Sequence, residues 1–188
     1  MLEYLRAPIV EEIVIWGHVA DSENCTHLER FLIRSSCSPR SLRLRGLLDQ
    51  SMETILQKYP SFIEVAVIDA DEDEERKILS AFLALFSNSK SVSSAPALPY
   101  VRTIRFACRH TDAILCPLLL TMLESRWNAG KCALKTAEFI FLDSPARPDP
   151  QSVARIEELR GAGLQISLLS EDDAVERVNQ WLFTAGWT

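Results

Sequence analysis

The sequence lacks the features of a secreted, membrane-spanning or nucleic-acid-binding protein. No apolar stretch reaches the roughly 18 residues that a bilayer-spanning helix needs. The N-terminus has no basic region followed by an apolar one, so we expect no signal peptide. There is no long run of lysine or arginine, and the formal net charge is −6. This charge argues against nucleic acid or an anionic membrane as a partner.

Paired cysteines and common catalytic motifs are also missing. The five cysteines are odd in number and show no C-x-x-C spacing, a pattern typical of reduced thiols. We therefore expect an intracellular protein, cytoplasmic or nuclear. There is no Gly-x-Ser-x-Gly elbow of a serine hydrolase, and Gly161-Ala162-Gly163 follows a helical pattern rather than a strand. We expect no cofactor and no metal site.

What the sequence does contain is a weak repeat. Pairs of apolar residues separated by one position recur six times, about 23 to 39 residues apart, which is within the range of solenoid repeats. The pairs are Ile13 and Ile15, Leu42 and Leu44, Val65 and Val67, Ile104 and Phe106, Phe139 and Phe141, and Ile166 and Leu168. A strand followed by a helix cannot bury its apolar face alone, so neighbouring units must stack.

We therefore predict an α/β solenoid of about six strand–helix units, with a mostly parallel sheet and helices on one side. The competing architecture is a doubly wound sheet with helices on both faces, which needs strands that are apolar on both sides. Residues 41–45 and 103–106 alternate between polar and apolar and favour one buried face. Residues 139–142 are apolar throughout and do not alternate.

We predict a single domain over residues 1–188. Residues 87–99 are rich in Ser, Ala and Pro and predict an internal loop. Residues 174–188 are predicted to cap the open end of the last repeat. The apolar face of this cap is expected to comprise Val175, Val178 and Leu182. The N-terminal strand has no preceding repeat, so its edge is a candidate for self-association unless residues 1–8 or a second subunit cover it.

Three segments of the chain carry a family resemblance. Residues 31–45 resemble the run FL-RSGCSLRSLTLR in the leucine-rich-repeat halves of basidiomycete fungal F-box proteins. Residues 122–127 match the MLESRW helix of the same group. Residues 153–167 are similar to its closing unit, LARLEELRAEGLDVS. The resemblance extends over roughly residues 5 to 170.

The resemblance implies an irregular leucine-rich-repeat-like solenoid that selects proteins for a cullin-type ubiquitin ligase. It therefore implies a non-catalytic protein-interaction module with a protein partner of unknown identity. The F-box itself, which docks a Skp-type adaptor, is absent from this sequence. The asparagine of the leucine-rich repeat, expected three positions beyond the last strand leucine, is replaced in every unit. The residues at these positions are His18, Leu47, Ala70, Arg109, Ser144 and Glu171.

The candidate partner-binding residues follow from the alternation of strand side chains. If the repeat residues point into the core, their neighbours form the other sheet face, where Trp and Arg beside aliphatic residues are typical of protein interfaces. The predicted binding residues are Trp16, Arg43, Arg45, Ile68, Arg105, Ile140 and Leu142. Alternatively, Ile140 and Leu142 are buried under a loop or a helix. The three arginines favour an acidic partner or are solvated surface charge.

One pattern predicts an enzyme instead. Asp69 and Asp71 follow an apolar strand, as in the first motif of haloacid-dehalogenase-type phosphotransferases, where the two carboxylates lie near a magnesium ion. Asp172 and Asp173 then resemble the acidic metal motif of those enzymes. However, Asp71 leads into an acidic run of the kind that a helix start favours without catalysis.

Overall fold

The computed structural model describes residues 6–16, 22–45, 50–68, 83, 86, 98–108, 115–128, 133–142 and 147–183. Six strands are present in this part of the chain. They are β1 (Glu12–Trp16), β2 (Ser41–Arg45), β3 (Glu64–Ile68), β4 (Thr103–Cys108), β5 (Thr136–Phe141) and β6 (Gln165–Ser170). Each contains one of the apolar pairs of the repeat, so the six predicted strands are confirmed.

The strands form one sheet in the order β1-β2-β3-β4-β5-β6, and every neighbouring pair is parallel. The order never reverses, so the sheet grows in one direction along the chain. Because crossovers between parallel strands are right-handed, connections that always advance the same way lie on the same side of the sheet. The predicted α/β class with a parallel sheet is confirmed.

Five helices are described between and after these strands. They are α1 (Ser22–Ser35), α2 (Gln50–Lys58), α3 (Leu115–Trp127), α4 (Pro150–Gly161) and α5 (Glu171–Phe183). Pro117 occupies the first turn of α3, where a missing N–H is tolerated. The side chain of Asp149 accepts hydrogen bonds from the backbone N–H groups of Gln151 and Ser152 at the start of α4. Gly163 has φ 104° just after α4, the left-handed backbone that commonly follows the end of a helix.

The main core lies between the sheet and helices α1–α4. One buried cluster joins strand residues such as Leu42, Val65 and Phe139 to helix residues such as Leu32 and Leu123. The apolar repeat positions therefore point into this core. Cys25, Cys37 and Cys108 are buried in it and form no disulfide. On α4, Ser152, Ile156 and Leu159 are buried, whereas Val153 is exposed.

Helix α5 lies on the opposite side of the sheet. Its residues Ala174, Val178 and Trp181 form a second buried cluster with strand residues that point away from the main core, among them Ile68 and Ile140. The expectation of helices on one side is therefore wrong for α5. This helix covers the sheet face rather than the open end of the last repeat, where residues 174–188 were predicted to lie. The side of α5 that faces the sheet also differs from the predicted apolar face, because Val175 is exposed.

Two other expectations concern segments that are only partly described. Within the predicted loop 87–99, only residues 98 and 99 are described. Leu98 is fully buried with φ 52°, so this end of the loop packs against the core. At the N-terminal edge, Ala7 and Val10 pack against the core, and the Ala7 N–H donates to Ser35 Oγ at 3.2 Å. Self-association through β1 stays a prediction.

None of the described helices is both long and apolar enough to cross a bilayer.

Candidate functional site

The candidate site is the sheet face that points away from α1–α4, called here the second face. The strand register aligns its residues in three rows that run across the sheet. The first row is polar: Glu12, Ser41, Glu64, Thr103, Thr136 and Gln165. The middle row is mixed: Val14, Arg43, Ala66, Arg105, Glu138 and Ser167. The third row contains Trp16, Arg45, Ile68, Ala107, Ile140 and Leu169. The second face thus changes from polar at the amino ends of the strands to mainly apolar at their carboxyl ends.

The apolar part of the second face is covered by α5. Ala174, Val178 and Trp181 are spaced at i, i+4 and i+7, so they share one side of the helix. They pack against Ala66, Ile68, Ala107 and Ile140, with Leu142 and Leu169 partly buried beside them. This contact removes apolar strand residues from water and stabilises the docked position of the helix.

A charged group fastens the middle of α5 to the sheet. Glu138 of β5 is buried, and its carboxylate accepts from Arg177 Nε at 2.7 Å and from Arg105 Nε at 3.1 Å. Arg105 also lies 3.4 Å from Glu64. A buried carboxylate requires such partners, because its desolvation is costly without them. We call Arg105, Glu138 and Arg177 the central clamp.

A second polar contact fastens the carboxyl-terminal end of α5. The Arg43 guanidinium donates to the backbone carbonyl of Trp181, which lies in the last turn of the helix. Carbonyl groups in a last turn have no partner within the helix, and a cation there also complements the helix dipole. Arg43 Nη2 lies 2.5 Å from Glu12 Oε1, an ion pair without the angle of a hydrogen bond. Contacts from Glu138 and Arg43 thus hold the middle and the last turn of the helix.

A shallow depression lies where α5 ends over β1, β2 and β3. It encloses about 200 Å³, including space open to solvent, and is lined by Val14, Arg43, Leu44, Arg45, Ala66, Ile68 and Trp181. Pockets for small molecules usually enclose about 300–1,000 Å³ and surround the ligand. This depression is too small and too open for that role. The Trp181 indole N–H is buried beside it and finds no hydrogen-bond acceptor among the described residues.

The predicted binding residues therefore lie in different environments. Ile68 and Ile140 are buried beneath α5 and Leu142 is half-buried beside it, so they are not a free contact surface while the helix is docked. This corrects the expectation that they are exposed and matches the alternative of burial under a helix. Arg45 is exposed at the carboxyl end of β2. The side chain of Trp16 lies outside the described residues, and its backbone is in register with Arg45.

The two remaining arginines already have partners within the chain. Arg43 contacts Glu12 and the Trp181 carbonyl, and Arg105 contacts Glu64 and Glu138. The sequence interpretation missed Glu138 and Arg177. A glutamate between Ala137 and the apolar run Phe139–Phe141 was the available indication, because a charge at such a position needs a partner.

The geometry gives little support to the phosphotransferase alternative. Asp69 and Asp71 lie outside the described residues, and Asp172 and Asp173 are exposed in the first turn of α5. Strands β3 and β6, which these two pairs follow in sequence, are separated by three strand spacings, or about 14 Å. Ligand crevices of open α/β sheets form where the strand order reverses, and the order of these six strands never does. Among the described residues, no cluster of three or more His, Cys, Asp or Glu is placed to hold a metal ion.

Comparisons with family models, curated proteins and solved structures find no match to this chain.

Proposed function

We propose that this protein is a non-catalytic protein-interaction module, an irregular leucine-rich-repeat-like solenoid that resembles the recognition repeats of an F-box protein. The parallel sheet with its unbroken strand order supports this proposal. Each strand lies beside the next one in sequence, which is how the units of a solenoid stack. The corresponding role is that of a substrate receptor for a ubiquitin ligase inside the cell.

The observation that carries the proposal is the docking of α5 on the second face. That face combines apolar residues near the carboxyl ends of its strands with charged residues in its middle row, and it holds an amphipathic helix by both. Protein interfaces likewise combine apolar contacts with polar and charged ones. A surface that binds a helix of its own chain in this way has the chemistry to bind another protein.

The part of the second face that α5 leaves open is the proposed recognition surface. It includes Arg45 of β2, which is exposed, and the neighbouring position of Trp16 on β1. Arg and Trp are the residue types that contribute most to binding at protein interfaces. Because Arg45 is exposed, a charge reversal there changes the open surface directly, and the test is placed on this residue.

The test is a crosslinking pull-down from the source cells with wild type, Arg45→Glu and the control Arg40→Glu. Arg40 is also exposed and precedes β2, so it lies at the opposite end of the same strand. We expect R45E to lower recovery of at least one prey by about tenfold, the effect of about 1.4 kcal/mol, and R40E to leave it within about twofold. Equal recovery of every prey by R45E and wild type would contradict the proposed surface.

Two further measurements address the ligase role and the enzyme alternative. Co-purification of a Skp-type adaptor supports the ligase receptor role, and its absence confines the proposal to protein binding. The purified chain is also assayed for magnesium-dependent phosphatase activity beside Asp69→Asn. Turnover that the D69N substitution abolishes would replace the interaction module with the phosphotransferase.

A further inference from the structure

The junction between β6 and α5 has no linker. Strand β6 ends at Ser170 and α5 begins at Glu171. Glu171 has φ 59°, a left-handed conformation that a residue with a Cβ adopts only at a cost. The chain therefore makes its turn onto the second face at one strained glutamate. Short hinges under strain favour the exchange of an element between copies of a chain.

All the contacts that hold α5 run between the helix, which follows the hinge, and the sheet, which precedes it. The helix contributes Ala174, Val178, Trp181 and Arg177, and the sheet contributes the apolar cluster, Glu138 and Arg43. None of these contacts depends on the chain connection at Glu171. The same contacts can therefore form between the helix of one copy and the sheet of another.

We propose that the second face accepts α5 from a second copy of this chain, so that two copies exchange their helices in a symmetric dimer. The hinge straightens in the dimer, which lets Glu171 leave the left-handed region, while every contact of α5 is kept. The release of this backbone strain raises the dimer association constant by about five- to thirtyfold for each hinge. Because two hinges straighten per dimer, the two factors multiply. This proposal does not rest on the proposed function.

The first test changes only the hinge. Glu171→Gly accepts a positive φ without strain, so we expect it to lower the dimer association constant by at least about 25-fold, the square of the smaller hinge factor. Glu171→Pro cannot adopt φ 59° because its ring holds φ near −65°. We expect E171P to be a dimer at micromolar concentration, with twice the 21.2 kDa mass of the chain, by size-exclusion chromatography with light scattering. A monomeric E171P, or an E171G that dimerises more than wild type, would overturn the proposal.

A second test exchanges the charges of the central clamp and does not depend on the hinge variants folding. Arg177→Glu and Glu138→Lys each place like charges together within one chain. When the two variants are mixed, both helices find a complementary partner only in the exchanged heterodimer. We expect native mass spectrometry to show a 1:1 heterodimer in the mixture. The E138K/R177E double variant is expected to associate as wild type does, because its charges match both within one chain and between two copies. A mixture that stays as two monomers would contradict the exchange.

A dimer formed through the β1 edge is distinguished by the same variants. An edge contact is insensitive to the residue at position 171, and E171G then dimerises as wild type does. We expect E171G and wild type to differ in their dimer fraction. Equal dimer fractions for the two would assign the association to the β1 edge and contradict the exchange.

Discussion

The central clamp gives the most direct measure of how firmly α5 is held. Glu138 is 5% exposed, whereas the side chains of its partners Arg105 and Arg177 are 22% and 41% exposed. Hydrogen bonds to charged groups contribute about 1.5–3 kcal/mol each. Solvent exposure of the two arginines reduces this contribution, because water can replace a partner that is removed. The consequence of a substitution therefore depends on which group of the clamp it leaves behind.

We expect Arg177→Ala to lower the free energy of unfolding by about 1 kcal/mol, because Arg105 still neutralises Glu138. Glu138→Ala removes both hydrogen bonds and leaves two guanidinium groups that water can partly reach. We expect a loss of about 2–3 kcal/mol, less than the 3–5 kcal/mol typical of stranding a fully buried charge. In a chain of 188 residues, this lowers the Tm by about 4–12 °C.

Urea denaturation of the two single variants and the E138A/R177A double variant gives the coupling energy of the pair, expected at about 1 kcal/mol. The matched control is Lys58→Ala, which removes an ion pair to Glu29 at 2.6 Å between two exposed side chains. We expect no measurable change there. If E138A is as stable as the Lys58 control, or the coupling energy is zero, then the clamp does not hold α5.

Two further predictions concern the other side of the sheet. Arg126 is buried, donates to the carbonyls of Phe86 at 2.8 Å and Leu98 at 3.2 Å, and lies 5.0 Å above the Phe86 ring. We expect Arg126→Met to lower the free energy of unfolding, measured by urea denaturation, by about 2–4 kcal/mol. We expect R126K to retain less than half of that contribution, because lysine lacks the planar guanidinium group that binds both carbonyls. A lysine variant as stable as wild type would refute the hydrogen-bonding role. Arg155 donates two hydrogen bonds of 2.7 Å to Glu124, which lower the pKa of that carboxyl below its usual value of 4.5. The resulting stability is present above about pH 4.5 and is lost as the pH falls through the lowered pKa. We expect Glu124→Gln to cost about 0.5–1 kcal/mol at pH 7 and to flatten the acid limb of the stability profile; an unchanged acid limb would contradict this assignment.

Much of the fold was predictable because the relevant forces are local or nearly so. Alternating residues such as Leu42 and Leu44 defined the strands, since side chains on one strand face different sides at period two. Asp149 and Pro150 defined the start of α4 through the hydrogen bonds and backbone angle that a first turn needs. Connections of one strand and one helix then led to a parallel sheet with neighbours in sequence order.

The candidate site was less predictable because it depends on contacts between distant segments. Residues such as Ile140 were correctly assigned to the second face, but sequence could not show whether that face meets water or a helix. Glu138 and Arg177 are 39 positions apart, and only the register of the sheet and the docking angle of α5 bring them together. The amphipathic pattern of α5 also placed Val175 inward, whereas the smaller Ala174 is the residue that fits against the strands.

The sequence by itself determined which residues form strands and helices and which strand positions enter the main core, because hydrophobic periodicity and capping act within a few residues. Tertiary structure alone decided that α5 crosses to the second face, turning at Glu171 and meeting Glu138 and Arg43. An amphipathic pattern predicts that a helix buries one side. Which surface receives that side depends on the shape and charge of partners that the chain brings together only when it folds.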